Sequence, residues 1–169
     1  LAFHLSPRLR NIGWGSVYVD LESQKGNDKG EVISFIANRF IEDLMFGSQP
    51  SILNLPRTQN GFFDFLKSVS SQPNSFKRIA VFIDEVGGVE PEVGLPLFST
   101  FRSLLMDSQG RYDKFIFLFI GAYDLDNLVL GPTSPLANVC EWISLGDLPK
   151  EAVNGLASCV DGLTAKEKH

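Results

Sequence analysis

Asp84 and Glu85 are the residues whose type and placement point most directly to chemistry. They end the stretch Arg78-Ile79-Ala80-Val81-Phe82-Ile83-Asp84-Glu85-Val86, in which an apolar run over residues 80–83 meets two adjacent carboxylates. A strand without polar alternation is buried on both faces, as in a parallel sheet covered by helices. Ligands of open α/β sheets bind outside the carboxyl ends of the strands. Paired acids at that place suit a metal–phosphate site, where one carboxylate holds Mg²⁺ and its neighbour orients or activates a water. The plainer reading is an acidic strand end that meets solvent or caps the next segment, and this stretch alone does not separate the two.

Other acids widen the choice. Asp20 lies near the end of a short apolar strand over residues 17–21, and Asp124 follows another apolar run over residues 115–120. Asp20, Asp84, Glu85 and Asp124 gathered at strand ends around Mg²⁺ fit a metal-dependent phosphohydrolase or nuclease. Against that, no Lys or His stands at a matching strand end, and a net charge of −5 opposes a nucleic-acid substrate. His4 and His169 both lie near the ends of the sequence, which leaves little for a His-based triad or a zinc site. Ser134, before Pro135, has no G-x-S-x-G context and reads as a turn residue.

These residues need a frame. The 169 residues, 44% hydrophobic and 21% charged, suit one globular domain with a sizeable core. Phe is used 14 times, largely in apolar runs, so it reads as core. Cys140 and Cys159 form no CxxC and read as free thiols of a reducing compartment, which places the protein in the cytoplasm. The longest strongly apolar run, residues 115–122, is too short to span a bilayer, and no secretory signal stands out.

Along the chain, residues 1–11 read as the last turns of a helix, weakened by Pro7. A strand follows at 17–21 and a loop at 23–30. Residues 32–45 make an amphipathic helix closed by Gly47 and Pro50. Asn60 is placed to cap a short helix at 62–69. The central strand is 79–84, and 87–94 reads as loop. A helix runs from Leu95 or Pro96 to about Ser108, ended by Gly110. Strands are predicted at 115–120 and 139–145, and Pro149 opens a last helix to about Leu163. The alternation predicts an α/β three-layer sandwich with a mostly parallel sheet over residues 1–163, and a frayed tail at 164–169.

The succession Val17-Tyr18-Val19-Asp20-Leu21-Glu22, Ala80-Val81-Phe82-Ile83-Asp84-Glu85-Val86, Arg102 within 98–105, Phe119-Ile120-Gly121, Ser134-Pro135-Leu136-Ala137-Asn138, Ile143-Ser144-Leu145 and Leu148-Pro149-Lys150-Glu151 resembles the bacterial AAA-like P-loop ATPases of the signal-transduction (STAND) type. The resemblance spans nearly the whole chain. It implies that 80–85 is a Walker B strand, that Asp84 helps hold the Mg²⁺ of bound ATP, and that Glu85 polarises the attacking water. It puts a sensor position after the 115–120 strand, where only Tyr123 or Asp124 offers a polar group. Arg102, on the helix after Walker B, would face a phosphate or a neighbouring subunit, against the plainer role of a surface or packing arginine.

One expected motif is missing: no G-x-x-x-x-G-K-[ST] occurs in the sequence. In the resembling family that loop lies just upstream of a helix like residues 1–11, so the expectation is a chain truncated after the P-loop and lacking the strand before it. Three parallel strands are then predicted in the order 115, 79, 17. The 139–145 segment should be displaced or separated by a gap about one strand wide, near 4.8 Å beyond normal pairing. The implied function is a nucleotide switch in a larger cytoplasmic signalling protein. Its partners would be other domains of the same polypeptide or other proteins, with a homo-oligomer left open and neither membrane nor nucleic acid expected. The competing function is a non-catalytic interaction module with a degenerate ATPase-like fold.

Overall fold

The computed structural model describes residues 2–44, 55–72, 76–121, 134–141, 143–147 and 149–153. Its frame is set by apolar segments that cannot be left in water. β1 (Gly15–Asp20), β2 (Ile79–Asp84) and β3 (Phe115–Phe119) pair into one all-parallel sheet with β2 in the centre. This is the strand order that the family resemblance implied. The register pairs Val17 with Val81 and Asp20 with Asp84 across β1 and β2, and Val81 with Phe117 across β2 and β3.

Side chains alternate between the two faces of a strand. Val17, Val19, Val81, Ile83 and Phe115 point to one face. There they meet α2 (Lys29–Leu44), α3 (Gln59–Ser70) and α4 (Pro91–Leu105) through side chains such as Ile36, Phe62 and Phe101. Phenylalanine edges and faces fill this layer: Phe101 sits 5.1 Å from Phe117 and 5.4 Å from Phe119 between ring centroids. Ala80, Phe82 and Tyr18 point to the other face, where α1 (Ala2–Asn11) lays Leu5 and Leu9 on them. Among the described residues, α2, α3 and α4 pack on one face and α1 on the other. Among the described residues no helix is long and apolar enough to cross a membrane.

Several boundaries differ from the sequence reading, each for a local reason. α2 begins at Lys29, inside the expected loop. The Asp28 carboxylate accepts from the Glu31 N–H (2.8 Å) and the Glu31 carboxylate accepts from the Asp28 N–H (3.0 Å), a reciprocal cap. α3 is capped by Thr58, whose hydroxyl accepts from the Gly61 N–H, not by Asn60. Thr58 is the residue with extended backbone three positions before that donor. α4 begins at Pro91, its φ already suited to the first turn, so Pro96 lies inside the helix and most of the expected 87–94 loop is a 3-10 turn and helix start. α4 ends at Leu105, and Gly110 instead takes a positive φ of 65° in the turn that follows. Pro7 sits inside α1 without ending it.

The expected strand at 139–145 is not formed among its described residues. Residues 135–139 are turn and 143–147 pair with no strand. A strand is held by its neighbours, and among the described residues none pairs with the segment. Val139 and Cys140 pack against the core, but Ile143 and Leu145 are 76% and 84% exposed, so burial does not hold the second half. Residues 150–153 are helical, as expected after Pro149; residues 154–169 lie outside the described residues.

Candidate functional site at the carboxyl end of the sheet

In a parallel sheet all strands deliver their carboxyl ends to one side. β1 brings Asp20 there and β2 brings Asp84, its register partner. The Leu21 N–H donates to the Asp84 carbonyl at 3.1 Å and continues the ladder one residue past β1. By alternation Asp20 and Asp84 share the face of Tyr18 and Phe82, the face that α1 covers.

Asp84 is held at both oxygens. Its Oδ2 accepts from the Tyr18 hydroxyl at 2.8 Å, and its Oδ1 accepts from the Glu85 backbone N–H at 3.0 Å. Each carboxylate oxygen has two lone pairs, so acceptor capacity remains. Burial, the hydrogen bond to Asp84 and the charges of Asp84, Asp20 and Glu85 push the Tyr18 phenol up to about 12. It stays a donor at neutral pH.

Glu85 occupies the left-handed region at φ 49°, ψ 50°. This costs a residue with a Cβ about 1–2 kcal/mol and clusters at functional sites. The chain there turns sharply into a 3-10 turn, Val86–Gly88, closed by the Gly88 N–H on the Glu85 carbonyl at 2.7 Å. The Glu85 side chain is exposed. Gly88 lies against the backbone that leaves β1: a Cβ there would sit 2.8 Å from the Leu21 carbonyl oxygen and 2.8 Å from the Glu22 Cα. The turns after β1 and β2 are therefore packed backbone to backbone.

The rim is acidic. Asp20 Oδ1 accepts from the Glu22 N–H at 2.9 Å. Glu90 Oε2 accepts from the Gly26 N–H at 3.1 Å, which draws its carboxyl below the usual range. Such a rim favours a cation over a bare anion. Asp20, Asp84 and Glu85 do not assemble a three-ligand metal group among the described residues. That donor set fits Mg²⁺ in the form that needs one or two carboxylates plus phosphate oxygens and water, and does not fit an all-protein cage.

Arg102 lies on α4. Its Nη1 donates to the carbonyls of Pro135 (2.6 Å) and Ala137 (3.2 Å), pinning the 135–139 turn to α4 with Leu136 buried beneath. Its Nη1 thus ties α4 to that turn. Tyr123 and Asp124 lie outside the described residues. Cys140 is half-buried against the main core, and burial pushes its thiol up, as befits an inert thiol. An open depression of about 400 Å³ beside β1, lined by Phe35, Asn38, Arg39 and Glu42, shares Tyr18 and Asp20 with the strand-end site.

Tyr18 is the residue that sequence reading passed over. Its position two residues before Asp20 puts both on one face of β1, which is legible. That Asp84 would stand within reach depends on the β1–β2 register, which is not.

No protein-family model matches this chain, and no curated protein matches it either.

Proposed function

We propose that the carboxyl end of this sheet is the Mg²⁺-nucleotide end of an AAA-like, P-loop NTPase domain of the STAND type, serving as an ATP-driven switch within a larger signalling protein. The observation that carries this reading is the Asp84 carboxylate, oriented at both oxygens on the central strand of a parallel sheet and followed directly by Glu85 in a strained turn. In this role Asp84 helps hold Mg²⁺, and Glu85, exposed beside it, orients the attacking water and accepts its proton. Mg²⁺, when bound, neutralises phosphate charge.

The placement of α1 supports the reading. Only residues 12–14 join it to β1, and Leu5 and Leu9 pack on the sheet, so α1 runs back along β1. Its amino-terminal half therefore lies toward the strand ends that carry Asp20 and Asp84. The 169 residues contain no Walker A sequence, so the phosphate cradle is not among them. On its own the chain is expected to bind ATP poorly.

The test compares ATP binding, with and without Mg²⁺, by this chain and by the natural protein that contains it. Tight, Mg²⁺-dependent binding by the natural protein that is lost in Asp84→Ala supports the ATPase reading. No binding by either, together with no P-loop in the natural protein, sinks it and leaves an interaction module with an ATPase-like fold.

A further inference from the structure

We propose that Tyr18 is a positioning residue for the Asp84 carboxylate, aiming its unoccupied lone pairs at a divalent cation. The inference rests on the reading of Asp84 as the cation-holding residue, and it adds a residue that no motif marks.

The geometry is specific. Tyr18 pairs in register with Phe82, one pleat behind Asp84, and its hydroxyl reaches forward along the sheet to Oδ2 at 2.8 Å. The Glu85 N–H takes Oδ1 at 3.0 Å. One donor on each oxygen fixes rotation about the last side-chain bond. The two oxygens turn together, so the Tyr18 donor tightens a rotation that the Glu85 donor alone restrains less firmly.

Tyr18 is itself held firmly. Its N–H donates to Asp43 Oδ2 at 2.8 Å, and its carbonyl accepts from Arg39 Nε at 2.9 Å, both from α2. Its ring packs in the cluster with Leu5, Leu9 and Phe82. The hydroxyl is thus delivered by two strands, one helix edge and one apolar cluster. Such support is what a metal ligand needs from the groups behind it, and losing it typically weakens metal binding by about 10–100-fold.

A hydroxyl that only satisfies a strand-end carboxylate would affect stability and leave cation affinity alone. The deciding experiment titrates Mn²⁺ into the natural protein that contains this chain, in the presence of ATP, by electron paramagnetic resonance. Thermal midpoints are measured alongside, for wild type, Asp84→Asn and Tyr18→Phe. The expected result is binding by wild type, its loss in Asp84→Asn, and at least about tenfold weakening in Tyr18→Phe. Wild-type binding that Asp84→Asn abolishes but Tyr18→Phe leaves unchanged overturns the inference and spares the role of Asp84. Absent binding in wild type, or equal binding in Asp84→Asn, overturns the Asp84 reading and the inference with it. Should Tyr18→Phe not fold, Mg²⁺ titration of wild type by carbon NMR decides. The phenol carbon of Tyr18 should move with the same affinity as the Asp84 carboxyl carbon, and a stationary Tyr18 signal is the contrary result.

Discussion

The two edges of the sheet are finished in different ways. At the β1 edge, the outward N–H and carbonyl of Tyr18 are taken by Asp43 and Arg39 of α2, and Arg39 also pairs with Glu42 and Asp43. α1 covers the adjoining face through Leu5 and Leu9. At the β3 edge, alternation points the backbone groups of Phe117 and Phe119 outward, and among the described residues nothing pairs with them. Ile116, on the α1 face of β3, is 37% exposed. Side chains can close a strand edge where a helix runs beside it; elsewhere the edge keeps its hydrogen-bonding groups on offer. The closed edge is also the one that carries Tyr18 and Asp20 to the candidate site, so rigidity and chemistry coincide there.

That contrast sets a graded series of expectations. Phe82→Ala removes a ring that is 1% exposed under α1 and should cost about 3–5 kcal/mol in urea unfolding. A loss below about 1 kcal/mol would mean that α1 does not seal this face. Asp43→Ala strips the acceptor from the Tyr18 N–H and should cost about 1–3 kcal/mol, the penalty of an unsatisfied half-buried donor. If it is neutral, water closes the β1 edge as well as Asp43 does.

At the strand ends, Glu85→Gly should stabilise the fold by about 1 kcal/mol, because glycine accepts a φ of 49° without strain, while Glu85→Ala should not. Equal effects of the two would remove backbone strain as the cause.

Alkaline unfolding probes Tyr18 directly. Its phenol is raised from 10.0 to about 12, so the unfolded chain loses that proton first. The stability from protonated Tyr18 is complete below pH 10 and drains away as the pH rises through about 12. Tyr18→Phe should flatten the stability profile in that window. Tyr112, also raised by burial, titrates in both proteins, so the difference between them isolates Tyr18. The smallest effect belongs to the part-exposed Ile116: Ile116→Lys should stay within about 0.5 kcal/mol. A loss of several kcal/mol would show that this face is covered after all.

Much of this was legible in the residues themselves. The apolar run at 80–83 lacks polar alternation and is buried on both faces, as that pattern implies; the run at 115–119 lacks it too, but on this edge strand Ile116 is 37% exposed. The broad apolar stripe of α2 and the Asp28…Glu31 spacing before it are local features with local causes. The acids at the ends of β1 and β2 were readable in the same way, whereas the order of the strands came only from the family resemblance. The 139–145 segment was misread because its composition suits a strand while strand formation depends on a neighbour that composition does not record.

The sequence by itself thus determined which segments are buried, where the acids fall along them and which face of each strand they share, because burial and side-chain period act within a few residues. Only the tertiary structure decided that Tyr18 meets Asp84, 66 positions away, that Arg102 packs against the 135–139 turn, and that α2 closes one sheet edge. Those facts depend on register and helix placement, which are set by the summed packing of distant surfaces and leave no mark on any single stretch of chain.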